Sequence, residues 1–126
     1  MYLRFVITQI DGNSKQPQGI FVAAYELLES GDLSQQEREY LRSILDWFNK
    51  HLPYPPDNFD ARRAVFWYKS GAQECIKQMW ELVYFLRHHG YHIEVHKCRR
   101  LTKIIYQDDL QVAAFPSNRD GRVTIQ

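Results

Sequence analysis

Four side chains that can ligate a metal ion recur at every second position around residue 95. They are His92, Glu94, His96 and Cys98. Alternate residues of a β-strand point to the same face, so Ile93 and Val95 would lie on the opposite face. Imidazole, carboxylate and thiolate groups suit zinc and related divalent ions. The spacing therefore gives the hypothesis of a divalent metal cofactor and, with it, a metal-dependent hydrolase.

The geometry of a strand argues against one ion bound by all four groups. His92 and His96 are four residues apart, so at about 3.3 Å per residue their Cα atoms would lie about 13 Å apart. Glu94 and one histidine would share an ion more easily, with further ligands such as Asp108 or Asp109. Polar residues alternating with apolar ones are also typical of any half-exposed strand, which is the simpler interpretation.

Basic residues form a second pattern with chemical meaning. Residues 87–103 carry five cations against the single acid Glu94, namely Arg87, Lys97, Arg99, Arg100 and Lys103. Residues 25–60 instead carry eight acidic and three basic side chains. Solvated surfaces often show such unevenness, but a basic region also favours docking of an acidic or phosphate-bearing partner.

An uncovered sheet face would bring aromatic side chains beside these cations. The candidate binding surface comprises Arg4, Trp67, Arg87, Lys97, Arg99, Arg100 and Lys103. Such a face can stack bases and bind phosphates, although the net charge is only +1 and no RNA-recognition motif of glycine and aromatic residues is present. Aromatic residues at a surface suit a protein partner or a homo-oligomer equally well.

Helical periodicity defines the segments that precede these residues. We expect one helix to begin near Pro17 and end at Gly31, where glycine suits the C-terminal cap. A second helix should begin at Ser34, which has the spacing of a capping box with Glu37, and should end before Pro53. The two helices would form an antiparallel hairpin.

Alternating and continuous apolar runs predict the strands. Residues 2–10 and 64–69 indicate two strands, and Ser70 should cap a helix that ends at Gly90. Together with the strand around residue 95, this spacing is typical of a βαβ crossover between parallel strands. Residues 102–106 and 111–115 should form a C-terminal hairpin.

The predicted fold class is α+β, with elements in the order β-α-α-β-α-β-β-β. We expect a mixed sheet of about five strands that contains one parallel βαβ unit and the C-terminal hairpin, with helices packed on at least one face. Residues 1–116 would form a single domain, and residues 117–126 a polar tail. A chain of 126 residues is long enough to bury one core.

Several broad functional classes are disfavoured by what the sequence contains. No apolar run approaches the roughly 20 residues of a membrane span, and Cys75 and Cys98 are expected to be free thiols, so a cytoplasmic protein without membrane contact is favoured. Glycine-rich phosphate loops, nucleophile elbows and zinc-protease motifs are absent from the sequence. The expected function is a non-catalytic binding or regulatory module that engages a protein partner or self-associates. The alternatives are the metal-dependent hydrolase and a nucleic-acid-binding protein.

Overall fold

The computed structural model describes residues 1–8, 18–54, 64–116 and 122–125. The helices are α1 (Ile20–Glu29), α2 (Gln35–His51) and α3 (Gln73–His88). The strands are β1 (Tyr2–Ile7), β2 (Gln18–Gly19), β3 (Val65–Lys69), β4 (Ile93–Cys98), β5 (Ile104–Gln107), β6 (Gln111–Ala114) and β7 (Arg122–Ile125). The α+β class is confirmed. None of the helices in these ranges is long and apolar enough to cross a membrane.

The strands form one sheet in the order β5-β6-β3-β1-β4-β7, with the short β2 also paired to β1. Every described strand pair is antiparallel, so the predicted mixed sheet of about five strands with a parallel βαβ unit is wrong. β3 and β4 do run in the same direction, but each pairs with β1, which lies between them. The spacing of strand, helix and strand identifies the crossover; it does not reveal that a third strand separates the two.

One edge of the sheet agrees with the prediction and the other does not. β5 and β6 pair as the hairpin that the sequence predicts, with a register shift between Ile104 and Tyr106. At the other edge, β7 pairs with β4 over four positions. The segment predicted to be a polar tail therefore contributes an edge strand.

All three helices pack on one face of the sheet, which we call the covered face. Leu3, Phe5 and Ile7 of β1 point into the core beneath them, because every second residue of a strand lies on the same side. The helices contribute an apolar stripe each, and Leu41 and Leu82 are completely buried. Burial of this stripe is the main stabilising term, at about 25 cal/mol per Å² of apolar surface.

The ends of α2 and α3 show how local sequence signals succeed and fail. The capping box of α2 is confirmed, because the Glu37 amide donates to Ser34 Oγ and the Ser34 amide donates to Glu37 Oε1. The predicted cap of α3 is wrong, since Ser70 lies in a turn and the helix begins after Ala72, without a side-chain cap. The predicted helix start at Pro17 lies outside the described residues, and α1 begins at Ile20.

The opposite face, which we call the open face, carries a smaller apolar cluster. Residues 99–103, which we call the arch, connect β4 to β5 and must pass β1, β3 and β6 to do so. Leu101 of the arch packs in a cluster that we call the rear cluster, formed by Trp67, Cys98, Leu101, Val112 and Ala114. Part of the open face is therefore covered by chain, not by a helix.

Candidate functional site

The four predicted metal ligands do not form a metal site. Glu94 and His96 lie on the open face, with 3.5 Å between Glu94 Oε2 and His96 Nε2. Cys98 is buried in the rear cluster, and its thiol donates to the carbonyl of Arg100 at 2.9 Å. His92 is exposed at the start of the strand. Within the described ranges, no three side chains of His, Cys, Asp or Glu lie close enough to hold an ion.

Asp108, considered above as a further ligand, has a structural role. Its carboxylate accepts hydrogen bonds from the Tyr106 hydroxyl, the Leu110 amide and the amide of Gln111, and so closes the turn between β5 and β6. Burial alone would raise the pKa of Asp108, but these hydrogen bonds outweigh it and hold the pKa below the ordinary value. The group is thus a charged acceptor at neutral pH, fully used by its own turn.

The residues of the predicted binding surface separate into two groups. Arg99, Arg100 and Lys103 are exposed on the arch, as a docking surface requires. Arg87 instead joins α3 to β4, because its guanidinium donates to the Ile93 carbonyl at 2.8 Å. Arg87 and Ile93 also line a depression of about 420 Å³ at the end of α3.

Trp67 and the two remaining cations complete the predicted surface. Arg4 and Lys97 are half-buried on β1 and β4. Trp67 is on the open face, as expected, but only 2% of it is exposed because Leu101 and its neighbours cover it. The prediction of Trp67 as a surface aromatic is therefore wrong, and the arch residue that buries it gives no warning in the sequence.

A concave surface lies between β1 and β3. These strands pair at two positions, Tyr2 with Lys69 and Leu3 with Tyr68. Beyond them, β3 continues beside β6 while the same edge of β1 pairs with β2. The divergence opens a cleft of about 660 Å³.

Aromatic side chains form much of the cleft wall. Phe21 of α1 and Phe48 of α2 meet edge to face with their ring centroids 5.0 Å apart. Phe5 and Tyr68 lie across from each other at 6.1 Å, and Phe66 adds a further ring from β3. These contacts fix the rings against one another, so an apolar ligand would meet surfaces that are already ordered.

A few polar groups lie among these rings. The Asn49 side chain donates to the Tyr25 hydroxyl at 3.0 Å, which links α2 to α1 at the cleft. Gln111 is buried, and its amide donates to the Pro53 carbonyl at 2.8 Å and to Asp108 at 3.1 Å. Both amides can offer a bound molecule a polar contact from a position held by the fold.

Tyr68, which lines the cleft, and the nearby Cys75 both have raised pKa values. Burial raises the pKa of the Tyr68 hydroxyl well above its ordinary value, and the nearby Cys75 thiol adds to this effect. Burial also raises the pKa of Cys75 to about 11, with a smaller contribution from the carboxylate of Asp108. A protonated, buried thiol is a poor nucleophile. Neither the Tyr68 hydroxyl nor the Cys75 thiol is therefore set up as a nucleophile at neutral pH.

The sequence gives little warning of the cleft residues. Phe21, Phe48 and Phe66 read as ordinary core positions, because their spacing places them on apolar faces of their elements. The proline-rich stretch after Leu52 marks the end of α2, and Pro53 and Tyr54 do line the cleft. This stretch predicts where α2 ends, but it does not predict that β1 and β3 diverge.

No family model, curated protein or solved structure matches this chain.

Proposed function

We propose that this protein is a non-catalytic binding protein that takes a small apolar ligand, preferably aromatic, into the cleft between β1 and β3. The observation that carries the proposal is the divergence of the two strands, which leaves a cleft of about 660 Å³ between them. Ligand sites are typically about 300–1,000 Å³, mainly apolar or aromatic, with a few polar groups that fix orientation. The cleft has each of these properties.

The exposed residues around the cleft support the same assignment. Val22, Tyr25 and Tyr54 line it and belong to the small set of exposed large apolar side chains in the described ranges, with 83% of Tyr54 accessible. Exposed apolar groups that gather at a concave surface indicate an interaction site more strongly than the same groups scattered. A ligand would cover these side chains and release the water around them.

The first test uses the fluorescent probe 8-anilinonaphthalene-1-sulfonate, which combines aromatic rings with one polar group. At about 0.3 kcal/mol per heavy atom, a molecule of this size binds with about 6 kcal/mol, which corresponds to a Kd of tens of micromolar. We expect saturable binding of one probe molecule to the native protein, checked by an unchanged near-ultraviolet circular dichroism spectrum. That spectrum separates binding to the cleft from binding to a partly unfolded chain.

Two matched variants locate the site. Val22→Trp adds a bulky ring to an exposed residue that lines the cleft, and we expect it to weaken probe binding at least tenfold. Ile104→Trp makes the same kind of change at another exposed aliphatic residue, on β5, and should leave binding unchanged. Equal effects of the two variants, or no saturable binding by the native protein, would contradict the proposal.

Self-association is a second candidate, favoured by an aromatic strip on the outer surface of α2 and α3. Tyr40 and Tyr84 are 44% and 61% exposed, and their rings pack on Phe85 and Trp80. Lys77 lies one helical turn from Glu81 on α3, so a two-fold copy of the strip would offer charges of opposite sign. Sedimentation equilibrium tests this candidate: a dimer that Tyr84→Ser converts to monomer supports it, and a monomer at all concentrations rejects it.

A further inference from the structure

The arch is held in place at three points, although it is a connection between strands. The Cys98 thiol donates to the Arg100 carbonyl, Leu101 is buried in the rear cluster, and the Phe115 amide donates to the Lys103 carbonyl at 3.2 Å. Between these points, the side chains of Arg99, Arg100 and Lys103 are exposed. The fold thus presents three cations from a fixed segment of backbone.

The backbone at Lys103 has an unusual conformation. Its φ is 55°, which makes it the one residue other than glycine with a positive φ among those the structure describes. A left-handed conformation is unfavourable for a residue with a Cβ, and Gly or Asn normally occupies it. A lysine at this position combines a backbone cost with a cation at the end of the arch, which is the kind of outlier that suggests a functional constraint.

The open face beside the arch adds further positive charge. Lys69 lies two residues after Trp67 on β3, so both side chains are on the open face. Arg4 of β1 is also on the open face, where it is paired in register with His96 of β4. Glu94 is the acidic residue on the same side of β4, and it lies beside His96. The described part of this face therefore has a clear excess of cations around the arch.

We propose that the arch and the adjoining open face bind the phosphate backbone of a single-stranded nucleic acid. Residues 99–103 carry these cations across the face from the end of β4 to the start of β5, past β1, β3 and β6, so the cations are spread out instead of converging on one point. An elongated polyanion can contact all of them, whereas one phosphate group would contact one or two. Arg4 also lines the cleft, but the three arch cations that carry the assignment do not.

A single strand fits this surface better than a duplex. The major groove of a DNA duplex admits an α-helix or a two-stranded ribbon, and the arch is neither, so it is not built to reach the base edges of a duplex there. A single strand presents unstacked bases, and aromatic or histidine rings can stack on them. His96, beside Arg4 on the open face, provides such a ring with 18% of its side chain exposed.

Fluorescence anisotropy with a fluorescein-labelled strand of twenty thymidines tests the proposal. We compare the triple variant Arg99→Gln, Arg100→Gln, Lys103→Gln with a control in which three exposed cations of the helices are replaced, Arg42→Gln, Lys50→Gln, Lys77→Gln. Each triple variant lowers the net charge by the same amount. At 50 mM salt we expect the arch variant to bind at least tenfold more weakly than the native protein and the control to stay within about twofold.

The salt dependence of the same titrations counts the phosphate contacts. Each contact to a single strand contributes about 0.7 to the slope of log K against log salt concentration, so losing three contacts should reduce the slope by about 2. Equal losses in the two triple variants would mean attraction by net charge alone and would overturn the proposal. So would the absence of binding by the native protein, or competition by oligoglutamate as effective as that by the unlabelled strand.

Lys103→Gly separates charge from folding. Glycine tolerates a positive φ, so the variant should keep or raise the melting temperature while it loses one phosphate contact. We expect about a three- to tenfold loss of affinity for the labelled strand at 50 mM salt. Unchanged affinity in this folded variant would remove Lys103 from the proposed site and contradict the interpretation of its conformation.

Discussion

The covered face and the open face of the sheet differ in how much core they carry. Among the residues that the structure describes, twenty-one buried residues form the core under the helices, against five in the rear cluster. Stability is therefore expected to come mainly from the covered face, since apolar burial is its largest source. The open face can then expose cations at little cost to the fold, whereas the cleft beside β1 is lined by Phe5, Phe48 and Tyr68 of the large core. The difference suggests that the main core and the proposed phosphate-binding surface lie on opposite sides of one sheet, while the cleft opens into the core.

The largest test of this comparison is a pair of leucine substitutions. Leu82→Ala removes a completely buried side chain between α3 and the sheet, and we expect it to lower the free energy of unfolding by about 3–5 kcal/mol. Leu101→Ala in the rear cluster should cost about 2 kcal/mol, because the arch lies at the surface and can relax into the space. Urea denaturation measures both values. Equal losses of unfolding free energy in the two variants would contradict the expectation that the covered face supplies most of the stability.

The two thiols sharpen the comparison, because each reports on one face. Cys75 belongs to the large core and Cys98 to the rear cluster, and both are buried, so labelling requires local opening. We expect Cys98 to react with an aromatic disulfide reagent at least tenfold faster than Cys75, a difference of about 1.4 kcal/mol in opening free energy. Single variants Cys75→Ser and Cys98→Ser give the two rates separately. Faster labelling of Cys75 would show the opposite order of local stability.

The cap of α2 tests the helical layer without touching the core. Ser34→Ala removes the side chain that accepts from the Glu37 amide, and we expect a loss of about 1 kcal/mol in the free energy of unfolding. Ser70→Ala is the matched control, since this serine caps no helix and its side chain is exposed. The control should stay within about 0.5 kcal/mol of the native protein. A larger cost at Ser70 would mean that the turn before α3 contributes more than its contacts indicate.

The smallest effect concerns the hairpin that carries part of the rear cluster. The lowered pKa of Asp108 adds stability above the ordinary value of 3.8, and that stability is lost as the pH falls through the lower pKa of the folded state. Asp108→Asn should cost about 0.5–1 kcal/mol at pH 7, since an amide oxygen accepts more weakly than a carboxylate. The difference from the native protein should shrink as the pH falls below 3.8. A difference that grows on acidification would contradict the assigned direction.

Local sequence patterns predict much of the secondary structure and little of its arrangement. The capping box at Ser34, the alternation in β4 and the C-terminal hairpin each depend on residues close together in the chain, and the structure contains all three. The position of β1 between β3 and β4 depends on pairing over many residues, and periodicity reports which side a residue faces but not its neighbour.

The candidate sites show the same limit. The arch cations were predicted to be exposed, and they are. Burial of Trp67 depends on Leu101, 34 positions further along the chain, and the cleft depends on the divergence of β1 and β3. Neither event leaves a local signal, because both arise from contacts between distant segments.

The most direct measurement is a titration of the isotopically labelled protein with 8-anilinonaphthalene-1-sulfonate, followed by two-dimensional amide NMR. The account predicts saturable shifts at amides that surround the cleft, including those of Val6, Phe21, Asn49 and Phe66. The rear cluster and the aromatic strip of α2 and α3 should remain unshifted. Shifts centred on Leu101 or on Tyr84, with the cleft amides unchanged, would contradict the account.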